Sequence, residues 1–442
     1  MDREAVFEDM EKNNVKFVVL QFSDLMGTSK SVTIPAERLE DAMSYGVWFD
    51  GSSIEGFARI HESDMFLKPD ISTYAVVPWL QHDHGNTARF ICDVFNPDGK
   101  PFEGDPRGIL KKTLKEAEKL GYKYFVGPEL EFFMFRKENG EIKPLPHDNG
   151  GYFDFVSDKA YEIRREMMNA MKNFGIVGEA AHHEVAVGQH EIDFRYDEAL
   201  RAADNTATMK YLLKAIAARY GLHVTFMPKP IRGINGTGMH VHQSLFSGNQ
   251  NAFYDASDKY GLSKIAYQFI AGQLAHAKAM SIVLGPTVNS YKRLVPGYEA
   301  PVYIAWARIN RSALIRIPKW NPNKPNSARC ELRCPDPSTN PYLAFAVMLK
   351  AGLDGIKNGM VPPEPVEENL FHFDDNKLAQ MNIGTLPESL GHAIKEAEKD
   401  SIIAETFGRE TYEKYLKAKK SEWDEYRQYV TQWELDNYLE RY

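Results

Sequence analysis

The densest chemistry in this chain lies at Glu129 and Glu131, inside Gly127-Pro128-Glu129-Leu130-Glu131-Phe132-Phe133-Met134-Phe135. The run is aromatic and apolar and is entered from a Gly-Pro turn, which predicts a strand. Side chains alternate faces along a strand, so the two carboxylates project the same way, about 7 Å apart. Like charges inside an apolar run are costly unless a cation lies between them. Carboxylate oxygens suit a hard divalent ion such as Mg²⁺ or Mn²⁺. The plainer alternative is a solvent-facing strand edge whose glutamates discourage aggregation.

Other clusters bear on that choice. The run His182-His183-Glu184 to Phe194 is dense in potential ligands, and a turn at Gly188 would fold Glu184 and Glu191 towards each other. His182, His183 and His190 are expected to be hydrogen-bonded scaffold rather than ligands. Asn235 to Ser244 reads as a glycine-rich turn feeding a strand, with His240 and His242 on one face and Val241 and Gln243 on the other. A neutral imidazole can ligate a metal or line a nucleotide site. Around Glu299, proline and glycine on both sides predict a constrained loop that presents one carboxylate. Arg311 and Arg316 follow, and Arg329, Glu331 and Arg333 share a strand face. Arginine recognises carboxylate and phosphate through paired donors. Singly, these clusters read as a polar hairpin, exposed histidines and surface ion pairs. Together they describe a carboxylate-rich, arginine-rich, metal-dependent site for anionic substrates. Neither a Walker-type phosphate loop nor a Rossmann fingerprint occurs, so the residues by themselves do not name ATP.

The positioning elements come in two blocks. Residues 14 to 34 alternate as two strands joined by the polar turn Ser23 to Gly27, and Pro35 opens a short helix. Further strands are expected at 73–78 and 87–94, giving a small sheet-rich unit with one helix. Asn96-Pro97-Asp98-Gly99 and Gly104-Asp105-Pro106 bracket a domain boundary. Asp105 then caps a helix that Gly121 stops. Beyond it, helices are predicted near 158–173, 198–219, 262–283, 341–357, 387–397 and 411–428, alternating with strands. The fold class is α+β, with domains at 1–103 and 104–442.

A length of 442 residues supports more than one domain, and 43% hydrophobic with 26% charged residues excludes a disordered chain. A net charge of −8 gives no reason to expect nucleic-acid binding. The N-terminus has no secretory pattern and no apolar run of membrane length occurs, so no membrane association is expected. The three cysteines, Cys92, Cys330 and Cys334, form no disulfide framework or zinc motif. A reducing cytoplasm is the natural compartment.

At these residues the chain resembles the type I glutamine synthetases, from about residue 15 to the C-terminus. The likeness runs through Phe49-Asp50-Gly51-Ser52-Ser53, Gly127 to Glu131, His183 to Glu191, Asn235 to Ser244, and Tyr291 to Glu299 with the Asn-Arg-Ser and Glu-Leu-Arg segments. It implies a β-grasp N-terminal domain and a catalytic domain with a curved antiparallel sheet and helices. It implies ATP-dependent ligation of ammonia to glutamate through γ-glutamyl phosphate, hence a role in nitrogen assimilation. It implies two Mg²⁺ or Mn²⁺ ions per site: one on Glu131, Glu184 and Glu191, the other on Glu129, His240 and Glu331. Arg311 and Arg316 match phosphate-stabilising positions. Glu179, His242, Gln243, Ser244 and Arg329 match nucleotide contacts. Glu131, Asn235, Gly236, His240, Arg293, Glu299, Arg311 and Arg333 match the glutamate side. Catalysis would fall to Asp50, which binds ammonium and removes its proton, to Glu299 on a closing flap, and to Arg311. A homo-dodecamer of two stacked hexameric rings is implied, with small regulatory proteins as possible partners.

Departures from the enteric branch concern regulation. Where that branch carries an adenylylated tyrosine, Asn369-Leu370-Phe371 has phenylalanine, which lacks the acceptor hydroxyl. Arg59-Ile60-His61-Glu62 instead resembles the branch controlled by metabolites, with Arg59 mediating feedback by glutamine. Two alternatives remain open: a γ-glutamyl ligase for a larger amine, and a non-catalytic regulatory relative. Asp50 and Tyr298-Glu299 favour ammonia, and the six filled ligand positions favour catalysis.

Overall fold

The computed structural model describes residues 2–52, 54, 64–298, 300–319 and 323–442. Six strands form the N-terminal sheet: β1 (Val15–Ser23), β2 (Ser29–Pro35), β3 (Val47–Asp50), β4 (Asp64–Pro69), β5 (Ala75–Val76) and β6 (Asn86–Phe95). Their order is β2-β1-β6-β4-β3, with β5 also on β6. The predicted β1–β2 hairpin is present, and the Asp24 carboxylate accepts from the Thr28 N–H at 2.8 Å across its turn. Among the described residues this unit has two α-helices, α1 (Arg3–Lys12) and α2 (Leu39–Tyr45), where the sequence predicts one. Helix α1 buries only Val6 and Met10, a stripe too narrow to give a 3.6-residue signal. Both helices share an apolar cluster with Val18, Leu20, Phe90 and Val94 of the sheet.

The larger part opens with α3 (Pro106–Lys119), capped as predicted by Asp105, which accepts from the Arg107 N–H at 3.1 Å. An eleven-stranded sheet follows: β7 (Lys123–Glu138), β8 (Glu141–Pro146), β9 (Gly178–His183), β10 (Gln189–Phe194), β11 (Asp197–Glu198), β12 (Leu222–Thr225), β13 (Val241–Ser247), β14 (Gln250–Asn251), β15 (Tyr303–Ala307), β16 (Ala313–Arg316) and β17 (Cys330–Leu332). Its main path is β15-β16-β17-β13-β7-β10-β9. Only β15 with β16 is parallel along that path. Strand β7 is the organiser: its first half pairs with β13 and its middle with β10.

Helices α4 (Tyr161–Met171), α5 (Ala199–Arg219), α6 (Lys264–Ala275), α7 (Ala277–Leu284), α8 (Ser290–Arg293) and α9 (Pro341–Lys357) contribute to the body behind the sheet. The single helix predicted over 262–283 is broken at His276, whose ring sits 2.7 Å from Asp400 and 3.1 Å from Asp354. Helices α6 and α9 cross in direct contact because Gly272 and Gly355 meet there. A Cβ on either would collide with a backbone carbonyl of the other helix. Five further α-helices follow among the described residues: α10 (Asp375–Gln380), α11 (Leu390–Lys399), α12 (Ile402–Phe407), α13 (Arg409–Tyr426) and α14 (Gln432–Tyr438).

The two parts are tied by the buried Arg107. Its guanidinium donates to Asp70, just after β4, and to Asp93 of β6, each at 2.7 Å, and to Asp204 of α5 at 2.9 and 3.0 Å. Breaking a buried ion pair from one side costs about 3–5 kcal/mol, so this network holds the parts in register. All three cysteines are buried and unpaired. No described helix is long and apolar enough to cross a membrane.

Candidate active site

Strand register assembles the site. On the β7–β10 ladder Glu131 lies opposite Glu191, and Glu129 opposite Asp193. Residues two apart share a face, so these acidic groups form one patch. On the other side of β7, β13 brings His242 opposite Gly127 and, across its far edge, opposite Glu331 of β17.

Two clusters of potential metal ligands result. In one, Glu129 accepts from His242 Nε2 at 2.7 Å and from His240 Nδ1 at 3.2 Å, and His240 Nδ1 is 3.6 Å from Glu331. Burial opposes charge on Glu129, but the two imidazoles override it and hold its carboxyl well below the usual range. In the other cluster, His182 lies 3.3 Å from Glu191 and 3.6 Å from Glu184. The scaffold expectation for the three histidines therefore divides: His183 and His190 are turned into the buried layer, whereas His182 stands among the carboxylates. Strand alternation is the cause, since His182 pairs directly with Glu191. Glu131 completes the patch, accepting from Gln189 Nε2 at 2.9 Å and the Gly238 N–H at 2.8 Å.

Burial raises the Glu131 carboxyl well above the usual range, and Glu191 and Glu184 raise it further. Burial together with Asp193, Glu129 and Glu184 pushes Glu191 up to about 10. Such a set stays ionised only if cations neutralise it. A divalent ion fits this set by its donors, oxygen with a few imidazole nitrogens. The main chain of Gly238 lies against the same groups: a Cβ there would meet Arg293 Nη2 at 2.7 Å, Glu131 Oε1 at 3.1 Å and His240 Nε2 at 3.2 Å. The missing side chain lets the backbone approach Glu131 closely enough to donate to it.

Beside the clusters lies a cavity of about 360 Å³ between β7, β10, β13 and the segment before β17. Glu179, His242, Gln243, Ser244 and Arg329 all line it. The Gln243 side chain, however, is tied beneath it to the Tyr124 hydroxyl at 2.7 Å and to Gln273. It can meet a ligand only through its main chain. Arg329 Nε donates to His242 Nδ1 at 3.2 Å, and burial lowers its guanidinium's affinity for a proton.

The other arginines converge from the far side. Arg316 and Arg333 both pair with Glu331, and Arg333 donates to the Arg311 carbonyl. Arg293 is buried and donates to the Cys334 carbonyl at 2.8 Å. Its stem packs against Gly236, whose carbonyl accepts from Gln189 at 3.0 Å, next to Asn235. Asp50 ends β3, the edge strand of the small sheet, and is exposed. The Ser52 hydroxyl and N–H hold its carboxyl below the usual range. Glu299 and Arg59 lie outside the described residues.

Two participants, Gln189 and Asp193, are not singled out by the motifs, and His182 is expected there only as scaffold. His182, Gln189 and Asp193 are single polar residues in a hairpin already rich in them, and only the ladder shows which face the patch. Asp193 lines the cavity together with Glu129. The one available signal was its even spacing from Glu191.

Comparison with known proteins places this geometry. Residues 14–97 match the family model "Glutamine synthetase, beta-Grasp domain", and residues 103–438 match "Glutamine synthetase, catalytic domain". A glutamine synthetase of Thermotoga maritima is 52% identical over 99% of this chain and 100% of its own length. One of Thermus thermophilus is 51% identical over 99% and 98%. Among solved structures, a GmaS/ADP complex superposes with TM-score 0.89 at 30% identity, covering 98% of this chain and 99% of its own. The Plasmodium falciparum glutamine synthetase superposes with TM-score 0.88 at 27% identity, covering 99% of both.

Proposed function

The chain belongs to the glutamine synthetase family, and from that premise we propose how its residues carry the activity. The enzyme is a glutamate–ammonia ligase that makes glutamine with ATP, in a family that uses divalent metals. Its fold joins a β-grasp N-terminal sheet to a larger curved sheet with helices behind. We place the domain boundary at 103/104, supported by an apolar cluster drawn only from residues before it, while Leu25 and Ala75 join the larger cluster beyond.

The observation that carries the site assignment is the acidic ladder of Glu129, Glu131 and Glu191 beside the nucleotide-sized cavity. Glu131, Glu184 and Glu191 would hold one ion, and Glu129, His240 and Glu331 a second. The ions supply charge neutralisation for the phosphates of ATP. Glu179, His242, Ser244, Arg329 and the Gln243 main chain bind the nucleotide. Arg311 and Arg316 take up charge that builds on the transferring phosphoryl group. Asn235, Gly236, Arg293, Glu299 and Arg333 orient glutamate, and Glu299 closes over γ-glutamyl phosphate to exclude water. Asp50 stays anionic at neutral pH, attracts ammonium and accepts its proton, leaving ammonia to attack the acyl phosphate.

The carboxylate of Asp50 projects from an edge strand of the small sheet, so we assign it to the site of a neighbouring protomer in a double-ringed dodecamer. The three free thiols suit a cytoplasmic location. Incubation with ATP, glutamate and either ammonium or a panel of primary amines tests the reaction. Glutamine, ADP and phosphate in equal amounts are expected with ammonium. Preferential turnover of a larger amine would instead identify a γ-glutamyl amine ligase.

Regulation follows the metabolite branch in this proposal. Phe371 packs its ring 6.0 Å from that of Tyr303 and offers no hydroxyl to a modifying enzyme. Arg59→Ala is expected to raise the glutamine concentration for half-inhibition at least several-fold with activity retained. Unchanged inhibition would remove Arg59 from feedback.

A further inference from the structure

The hairpin carrying Glu184 and Glu191 has a second face. His183 and His190, each one residue from a ligand, turn into a fully buried layer behind the site. There they meet residues 147–151, a separate stretch that follows β8. Asp148 is the hub of this layer. Its Oδ1 accepts from His183 Nε2 and from the Gly188 N–H, both at 3.1 Å. Its Oδ2 lies 2.9 Å from His147 Nε2 and accepts from the Lys159 N–H at 3.2 Å.

Both protein groups held by Oδ1 control the ligands. Gly188 is in the turn between Glu184 and Glu191, with φ +69°, and a Cβ there would press on Pro146 at 3.0 Å and the Met134 carbonyl at 3.2 Å. His183 donates from Nδ1 to the Glu184 carbonyl at 2.7 Å, so its ring fixes the peptide of the ligand itself. Gly150 lets its backbone lie against that ring, where a Cβ would come 2.7 Å from Nε2. We propose that Asp148 is a positioning residue that closes the Glu184–Glu191 hairpin from behind and so holds its carboxylates at ligating spacing. This rests on the assignment of those glutamates as metal ligands.

The physical need is clear. Crowded carboxylates give up their protons only as a cation binds, and those that ionise together push the strands of their hairpin apart unless something holds them. A hairpin pinned on its other face keeps the donors together, so less of the binding energy is spent on ordering them. A metal ion in the rear layer itself is the competing idea, since His147, Asp148 and His190 have potential ligand atoms within 4.8 Å. Proton positions oppose it. Arg164 Nη1 donates to His190 Nδ1 at 2.8 Å. A guanidinium only donates, so the ring's proton is on Nε2 and neither nitrogen has a free lone pair.

The test is Mn²⁺ binding to the metal-free full-length enzyme by calorimetry and electron paramagnetic resonance, alongside activity against Mn²⁺ concentration. Asp148→Asn is expected to weaken one class of Mn²⁺ site about 10–100-fold. Activity should return towards wild type at saturating Mn²⁺, with the KM for ATP unchanged. If Asp148→Asn does not fold, His147→Gln decides, with a several-fold shift in the same direction. Wild-type Mn²⁺ affinity in the folded variant, or activity lost equally at every Mn²⁺ concentration, overturns the positioning role. Glu191→Gln separates the underlying assignment: if it leaves Mn²⁺ binding intact, the ligand set is wrong, whatever Asp148 does.

Discussion

The Glu131→Ala enzyme is expected to lose at least about 10³-fold in glutamine formation, with divalent-metal binding weakened in parallel. The magnitude follows from several kcal/mol of charge stabilisation supplied by a bound ion, at about 1.4 kcal/mol per tenfold. The fold should survive. Without metal, burial with Glu191 and Glu184 disfavours the charged form of the Glu131 carboxyl, so removing it takes away no charge that the fold depends on. Against that stand two donors left without their acceptor, Gln189 Nε2 and the Gly238 N–H. Glu131→Gln retains a side-chain oxygen for them and should match the wild-type melting temperature while remaining inactive. Wild-type turnover by either variant would take Glu131 out of the site.

Mixtures of Asp50→Ala and Glu131→Ala protomers should recover activity that neither parent has. Asp50 is exposed at an edge strand of the small sheet, and it does not line the cavity beside the acidic ladder. A head-to-tail ring repeats one heterologous contact, so random equal mixing unites an intact Asp50 with an intact ligand set at about one junction in four. Co-assembled, tag-verified mixtures should therefore reach about a quarter of wild-type activity per site. Mixed oligomers no more active than the parents would mean that each chain completes its own site.

Much of the site was legible because it obeys local rules. The even spacing of Glu129 and Glu131 predicts one face, and the ladder places both in one acidic patch. Gly188 announces the turn between Glu184 and Glu191, and its left-handed φ requires glycine. The cap at Asp105 and the β1–β2 hairpin follow from turn and cap chemistry within a few residues. Less of the fold was legible where the signal is weak or distant. Helix α1 buries too little to show a period, and the break at His276 depends on two aspartates far along the chain.

By itself, then, the sequence determined the residue types and their local faces: acidic pairs, histidines at even spacing, arginines on a strand, and with them the family. Periodicity acts within one element, so it can say which residues point together but not what they point at. Only the tertiary structure decided which faces meet. It set Glu131 against Glu191, turned His182 to the carboxylates and His183 away from them, sent the Gln243 side chain beneath the cavity, and brought Asp148 behind the hairpin. Those choices depend on register between strands distant in sequence, where a slip of one residue reverses every side chain.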